Sequence, residues 1–256
     1  MSRPRLVGMA HLPALPGTTA GGPAALAPVL EAALADARVL EEAGFDAVLV
    51  QNSLDRPTRE RVDALAVAQL AVVTARVRAA TGLVVGVNVI KNDGPAAMAV
   101  AAAADADFIR VKVLTGSVLS AEGLLAGCAP ETHAVRSRSG ARAAIWADCY
   151  EPTSRALVRD DFDAALVDAL DFGLADAVIV TGRTTEETLV LAEQARKLQP
   201  GAHLVIGGRV DVESVAQAFD TADTVIIGSA LKVRPGIAGR VDPGKARALA
   251  AAAGAR

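Results

Sequence analysis

Two basic residues and one acidic residue are the strongest candidates for chemistry in this sequence. Arg110 and Lys112 alternate with aliphatic residues in the run FIRVKV at 108–113, so a β-strand would place both cations on one face. Cations that face a core are stable only beside an anion. Asp148 ends a later apolar run. It is expected either to pair with these cations or to move a proton while they stabilise developing negative charge.

Single polar residues near the ends of other apolar runs are further candidates. His11 is expected to act as an acid or a base, since its ordinary pKa is about 6.5, or else to hold the proline-rich loop that follows it. Asn88 alternates with valines and is expected to face inward, where its amide must bind a neighbour or a ligand. Asn92 is most simply a helix N-cap. Thr181 and Gly182 either cap the next helix or form another wall of a ligand site.

Two glycine turns follow the last two predicted strands. Gly207-Gly208 and Gly228-Ser229 each end an apolar run, and each is expected to precede a helix. Glycine lets the backbone approach a ligand closely, and the free N–H groups at a helix N-terminus favour an anion. Such turns after the seventh and eighth strands of a (β/α)8 barrel commonly bind phosphate. The sequence therefore predicts a grip for a small phosphorylated metabolite, with two ordinary turns as the alternative.

The elements that must position these residues are short Val/Ile runs that alternate with alanine-rich stretches. This alternation is typical of β–α units and a parallel sheet. Eight strands are predicted, at 6–9, 47–50, 83–89, 108–113, 143–147, 177–180, 203–206 and 224–227. Helices are predicted at 26–43, 59–80, 94–104, 161–172, 185–199, 212–219 and 243–253.

Eight such units in 256 residues predict one (β/α)8 TIM barrel as a single domain over residues 1–256. An open doubly wound sheet is the alternative, but no GxGxxG motif follows the first strand. Gly or Asp precedes several strands and marks the short loops that return the chain to the barrel floor. Segments 21–28 and 128–140 are predicted to be loops. The second, with Arg136, Arg138 and Arg142 in or beside it, is expected to be a solvated turn, or else a lid over an anion.

Composition and motif spacing limit the classes of partner. A net charge of −3 without a basic run argues against nucleic acid, and no uncharged apolar run is long enough to span a membrane. Cys128 and Cys149 lie far apart, which predicts a reduced, cytoplasmic chain; Cys149 also lacks a nearby histidine that would make it a nucleophile. Metal-binding spacings are absent, so no metal or cofactor is predicted, with Mg²⁺ at Asp148 left open. Because alanine-rich barrel helices often pair subunits, a homo-oligomer is left as an open expectation.

Seven short motifs, spread in order over most of the chain, resemble those of the BtpA/SgcQ family. They are GMAHLPALPG, DAVLVQN, GVNVIKND, DFIRVKVLTG, WAD, DAVIVTGRTT and TVIIGSALK. The resemblance implies a fold similar to phosphate-binding (β/α)8 barrels, with members linked to photosystem I biogenesis and others beside sugar-phosphate metabolism. Besides the two glycine turns, the matching positions that it implies for the site are His11, Asn52, Asn88, Asn92, Asp93, Arg110 and Asp148.

This chain departs from the family pattern at three places. Gln51 stands before Asn52 where a glutamate is usual, segment 149–154 lacks the usual Lys-His pair, and Thr185 replaces a glycine. We therefore expect an enzyme that acts on a sugar phosphate or nucleotide-like metabolite by isomerase, lyase or glycosidic-bond chemistry. The alternative is a non-catalytic binding or assembly protein that retains the phosphate site and lacks the acid–base residues.

Overall fold

A computed structural model describes residues 4–150, 152–157, 161–234 and 236–254. Eight parallel strands form a closed barrel in which each strand pairs with its neighbours in sequence and the first pairs with the last. The predicted (β/α)8 fold and all eight predicted strands are confirmed, with ends that shift by one or two residues. The barrel strands are Leu6–His11, Ala47–Gln51, Val84–Asn88, Phe108–Val111, Ala144–Asp148, Ala177–Val180, Leu204–Gly207 and Thr224–Ile227.

Strand alternation divides the core in two. One set of side chains fills the barrel interior near the strand starts, where the rings of Phe108 and Trp146 stack with centroids 3.8 Å apart. The other set, which includes Val87 and Ile109, packs outward beneath the helices. We call the end where the strands begin the floor and the end where they finish the mouth. Inward side chains near the strand ends therefore lie at the mouth, where barrel enzymes carry their chemistry.

Four aspartates at the floor tie neighbouring strands together. They precede the second, fourth, sixth and eighth strands, and each accepts a hydrogen bond from a backbone N–H near the start of an odd-numbered strand. The predicted return loops therefore also fix the position of adjacent strands. The pairs are Asp46 with Leu6 (2.8 Å), Asp107 with Val85 (2.8 Å), Asp176 with Ile145 (2.8 Å) and Asp223 with Leu204 (2.9 Å).

The helices follow the strands as predicted, with some differences in length. Asp63 caps α2, which therefore begins five residues later than predicted, and the helix predicted at 161–172 changes to a π-helical turn at Asp168–Phe172. The helices are α1 Ala27–Ala43, α2 Ala64–Ala80, α3 Gly94–Ala104, α4 Ala129–Ser139, α5 Phe162–Val167, α6 Thr185–Leu198, α7 Val215–Ala218 and α8 Pro243–Ala252.

Helix α4 corrects the prediction of a loop at 128–140. Proline in its first turn, Glu131 in the same turn and two arginines in its last turn all favour a helix at that position and polarity. Gly140 ends it with a left-handed backbone, φ 67°. Because α4 returns the chain to the floor, Arg136 binds Asp176 there at 3.0 Å. The alternative of a lid over an anion is therefore wrong as well.

A small antiparallel sheet at the mouth, which we call the mouth sheet, was not predicted. Its strands are Ser117–Ser120, Gly123–Ala126 and Arg155–Ala156. The hairpin follows the fourth barrel strand, and its third strand follows the fifth, so the pairing joins residues distant in sequence. Such short strands have no periodicity that a sequence reading can detect. Among the described residues, no helix is long and apolar enough to cross a membrane.

Candidate functional site

Four polar side chains line one side of the barrel interior at the same height. His11 pairs in register with Gln51, Gln51 with Asn88, and Asn88 with Arg110 on the first four strands. Each follows an interior residue of its own strand by an even number of positions, so the four side chains also point into the barrel; these interior residues are Met9, Leu49, Val84 and Phe108. We call His11, Gln51 and Asn88 the polar row. The polar row brings the predicted site residues His11 and Asn88 to the same level as Arg110. It also contains Gln51, which was noted in the sequence only because it departs from the family pattern.

Asp148 binds both cations of the fourth strand. The Arg110 guanidinium donates to its two carboxylate oxygens at 2.9 and 2.8 Å, and Lys112 Nζ donates at 3.1 Å. The Asp148 side chain is fully buried, whereas Lys112 retains some exposure toward the mouth. The structure thus shows the ion pairing that was one of two roles expected for Asp148. Because both of its oxygens already accept hydrogen bonds from cations, this site does not favour Mg²⁺.

His11 is buried and neutral. Burial above all, together with the nearby charges of Lys232 and Arg110, lowers its pKa to about 3, against the opposing effect of a hydrogen bond to the Ile237 backbone. Within the described part of the chain, its Nδ1 atom has no hydrogen-bond partner. His11 therefore presents an uncharged imidazole at neutral pH, with one ring nitrogen available to a ligand.

Asn88 also has an unused polar atom. Its Nδ2 group donates to the Arg110 carbonyl at 2.7 Å, which fixes the amide orientation. Its Oδ1 atom is buried and has no partner among the residues that the structure describes. Native proteins pair nearly all buried polar atoms, so an unpaired one inside a barrel marks a position where a ligand or water fits.

The other two candidate asparagines hold loops. Asn52 donates to Asp55 at 2.9 Å and accepts from the Ile90 N–H at 2.9 Å. Asn92 donates to the carbonyls of residues 113 and 126 and accepts from the N–H of residue 113 at 2.8 Å. The N-cap prediction for Asn92 is wrong, because Asp93 caps α3 by accepting from Ala96. Both amides are already used for structure, which leaves Asn88 as the asparagine best placed to bind a ligand.

The turn after the seventh strand lies against Arg110. A Cβ atom at Gly207 would stand 3.4 Å from the Arg110 Nη2 atom and only 2.3 Å from Ile179, so nothing larger than glycine fits. The Thr181 hydroxyl donates to the Gly207 carbonyl at 2.6 Å and steadies the turn. Gly208 has φ 124°, which favours glycine. This turn therefore brings backbone close to a buried cation.

The turn after the eighth strand lies against His11. A Cβ atom at Gly228 would stand 3.4 Å from the His11 Cε1 atom, in ordinary to tight contact. A three-residue 3₁₀ turn, Ser229–Leu231, follows, and α7 begins only at Val215, well after Gly208. The expectation that a helix starts directly after each glycine is thus wrong for Gly208, and after Gly228 it holds only for this short 3₁₀ turn. At these two turns an anion would therefore bind to backbone N–H groups alone, because no long helix with its dipole begins there.

Gly182 packs the sixth strand onto α6. Its N–H donates to the Thr188 hydroxyl at 2.8 Å, and a Cβ atom there would stand 2.6 Å from the Thr188 nitrogen. Thr184 caps α6 by accepting from Glu187. The structure thus shows capping after the sixth strand, whereas Thr181 lies at the strand end beside Gly207.

A cavity of about 310 Å³ opens between the fourth and fifth strand ends and the mouth sheet. We call it the mouth cavity. Its inner end reaches the Lys112–Asp148 pair, and hydroxyl and carboxylate side chains line its walls, among them Ser117, Tyr150, Ser154 and Asp168. Cys149 also borders it, but burial raises the pKa of its thiol, which does not suit a nucleophile. Glu151, in the segment that departs from the family pattern, lies outside the described residues.

Lys232 is a buried charged residue near His11 that was not predicted from the sequence as part of the site. It is fully buried beside the first strand, donates to the Met9 carbonyl at 3.1 Å and lies 3.9 Å from Asp36, which also binds Arg240 at 2.8 Å. Burial lowers the Lys232 pKa to about 8, against the opposing charge of Asp36. One sequence feature could have predicted this ion pair. Asp36 lies on the apolar face of α1, and a buried carboxylate there needs a cation as its partner.

Sequence comparison identifies relatives along almost the whole chain. The BtpA family profile matches residues 2–255. An uncharacterized protein of Thermococcus kodakarensis is 37% identical over 249 residues, which cover 96% of this chain and 94% of the relative. The photosystem I biogenesis protein BtpA of Synechocystis sp. is 34% identical over 244 residues, which cover 93% of this chain and 84% of that protein.

Solved structures with the same fold are far less similar in sequence. N-(5'-phosphoribosyl)anthranilate isomerase from Pyrococcus furiosus has a TM-score of 0.61 at 10% identity, over 98% of both chains. The structure described as native KDPGal has a TM-score of 0.62 at 15% identity, over 98% of this chain and 95% of that one. These likenesses concern the barrel fold alone. The profile and the sequence relatives confirm the resemblance carried by the ordered motifs: the chain belongs to the BtpA family.

Proposed function

We propose that this protein is an enzyme that binds a small phosphorylated metabolite at the mouth of its barrel. The observation that carries the proposal is the position of the two glycine turns. Gly207 lies against Arg110, and Gly228 lies against His11, so two backbone turns face buried, polar interior residues. Glycine turns after the seventh and eighth strands are the common phosphate site of this fold.

Electrostatics support an anionic ligand. Arg110 and Lys112 bind the same carboxylate, Asp148, so these three ionised groups together carry a net charge of +1. A positive charge in a partly enclosed mouth attracts anions and strengthens their binding in a low dielectric. A phosphate at the turns would lie within the field of Arg110, which borders Gly207.

The same residues support acid–base chemistry on the ligand. Lys112 Nζ donates a hydrogen bond to Asp148, a position that suits stabilisation of a developing oxyanion better than nucleophilic attack. With a pKa of about 3, the neutral His11 is a weak base and serves this chemistry as a hydrogen-bond partner for a ligand oxygen at Nδ1. Isomerisation, aldol-type cleavage and glycosidic-bond chemistry all use such a pair. Asp148 is the candidate for moving a proton.

A thermal-shift screen with inorganic phosphate, sugar phosphates and nucleotides tests ligand binding. A ligand at a hundred times its dissociation constant stabilises a protein by about 2.7 kcal/mol. We expect a phosphorylated compound to raise the melting temperature of the wild type and not of Gly228→Asp, whose carboxylate repels phosphate. The matched control is Gly201→Asp at the floor, an exposed glycine with open space around it, which should respond like the wild type. A wild type that no phosphate compound stabilises would overturn the proposal.

Turnover of the compound found in this screen tests the catalytic part. Lys112→Ala and Asp148→Asn should each reduce kcat strongly, because they remove the cation or the carboxylate that faces the mouth cavity. Unchanged turnover in both folded variants would exclude these residues from the reaction.

A binding protein without turnover is the second candidate. It is favoured by Asp148, whose oxygens are both taken by Arg110 and Lys112, as in a structural ion pair. The Synechocystis relative is named a photosystem I biogenesis protein. Stabilisation by a phosphate compound, together with no chemical change in any compound of the same panel, would favour this candidate over the enzyme.

A further inference from the structure

Two of the buried polar atoms without a partner lie together on the polar row. Within the described chain, the unpaired buried side-chain atoms are His11 Nδ1, Asn88 Oδ1 and two atoms on α2, at Gln69 and Thr74. His11 and Asn88 flank Gln51 in register on the first three strands. Both are more than nine-tenths buried. This concentration inside the barrel points to a ligand that supplies the missing hydrogen bonds.

The chemistry of the two atoms restricts that ligand. Because Asn88 Nδ2 donates to the Arg110 carbonyl, Oδ1 is the amide atom left for a ligand, and it can only accept a hydrogen bond. The dianion of a phosphate ester, or a carboxylate, has no proton to donate to it. An ammonium group could donate, but Arg110 lies beside Asn88, and its charge would repel the ammonium.

A hydroxyl group meets these requirements. It is neutral, it donates to Asn88 Oδ1, and it accepts from or donates to His11 Nδ1. Gln51 adds a half-buried amide between them, whose Nε2 group binds Ser53 at 3.0 Å. We infer that the polar row binds the hydroxyl groups of a phosphorylated polyol or sugar whose phosphate lies at the two glycine turns. This inference rests on the proposed function and names its substrate class.

The arrangement of the mouth agrees with such a ligand. His11 borders Gly228, so the row begins next to the proposed phosphate position, and Asn88 borders Arg110. Beyond Arg110 lie the Lys112–Asp148 pair and the mouth cavity with its hydroxyl and carboxylate lining. A carbon chain that follows this path carries hydroxyls past the row and brings its far end to the charged pair.

Calorimetric titration with three probes tests the inference. The probes are inorganic phosphate, a pentose 5-phosphate, and pentyl phosphate, which has the same number of carbons and no hydroxyl groups. We expect the wild type to bind the pentose phosphate at least about tenfold more tightly than pentyl phosphate, which corresponds to one good hydrogen bond.

Two variants test whether the polar row causes the preference for the pentose phosphate over pentyl phosphate. His11→Phe keeps a ring of similar width without Nδ1, and Asn88→Ala removes Oδ1; the first keeps the test valid if the second folds poorly. In each, the ratio of the affinities for the pentose phosphate and pentyl phosphate should fall about tenfold.

The probes separate failure of this inference from failure of the proposed function. Equal wild-type affinity for the pentose and pentyl phosphates, or a preference that survives in both variants, would overturn the polyol assignment while phosphate binding stands. Binding of the free pentose without binding of inorganic phosphate would support the row and overturn the phosphate grip. Absence of binding by every probe would overturn both.

Discussion

The two ends of the barrel each bury a histidine, and only one of the two is fully paired. His203 at the floor and His11 at the mouth are both 6% exposed. His203 Nε2 lies 2.9 Å from the Thr224 hydroxyl, and its ring meets the edge of Trp146 with centroids 5.4 Å apart. His11 has a pKa of about 3 and an Nδ1 atom without a partner in the described chain. Burial alone therefore does not distinguish a binding residue from a structural one; the partners do.

Cavities and carboxylates show the same contrast. The floor has the larger opening, about 740 Å³ against about 310 Å³ at the mouth, and Trp146, Phe108 and His203 line it. Its four aspartates hold backbone N–H groups, as Asp46 does at Leu6, and three of them also bind one arginine each. Asp148 at the mouth instead binds two side-chain cations. The size of an opening is thus a poorer guide to function than the groups that converge on it.

The largest expected difference between the ends concerns these carboxylates. Asp148→Asn leaves Arg110 and Lys112 buried with too little negative charge, so we expect it to lower the free energy of unfolding by about 3–5 kcal/mol. Asp46→Asn at the floor retains an oxygen for the Leu6 N–H and should cost about 1 kcal/mol. Urea unfolding measures both. Equal losses would show that the mouth ion cluster is no more than another strand tie.

The two ends of the seventh strand should differ next. Gly207→Ala places a Cβ atom 2.3 Å from Ile179, so overpacking should destabilise the fold by up to about 3 kcal/mol. Gly201→Ala meets open space and should change stability little. Thermal unfolding of the pair compares them. A harmless Gly207→Ala would mean that the turn beside Arg110 can move, and the proposed grip would lose its fixed geometry.

The pH dependence of stability should reveal His11. Its folded pKa is lowered from 6.5 to about 3, so between these values the unfolded chain binds more protons and stability falls as the pH falls. At pH 5 this histidine should cost about 2 kcal/mol relative to pH 7.5, and His11→Phe should lose that part of the slope. Urea midpoints at the two pH values measure it. An identical slope in the variant would show that His11 is protonated as easily in the folded protein as in the unfolded one.

The smallest effect concerns the support of the seventh-strand turn. Thr181→Val removes the 2.6 Å hydrogen bond to the Gly207 carbonyl and should lower the free energy of unfolding by about 1 kcal/mol. Because the turn then loses one restraint, phosphate should also bind more weakly. Unchanged stability and binding would show that the hydroxyl does not position the turn.

Most of the barrel was predictable because its signals are local. Valine and isoleucine runs fixed the eight strands, and alternation in FIRVKV placed Arg110 and Lys112 toward Asp148. The mouth sheet was not predictable, because strands as short as Arg155–Ala156 form only through distant pairing. Helix α4 was missed because its polar sequence lacks an apolar stripe.

The site was only partly predictable for the same reason. Asn52, Asn88 and Asn92 look equivalent in sequence, and only their tertiary partners separate two loop-holding amides from one with an unused oxygen. Lys232 and Asp36 are far apart in the chain, so their proximity depends on the closed barrel.

The most direct test of the central claim is calorimetric titration of inorganic phosphate into the wild type, Gly228→Asp and Gly201→Asp. We expect one phosphate site per chain in the wild type and in the floor control, and no measurable binding in Gly228→Asp. A wild type that does not bind phosphate, or a Gly228→Asp variant that binds it as the wild type does, would contradict the assignment of the glycine turns as a phosphate grip.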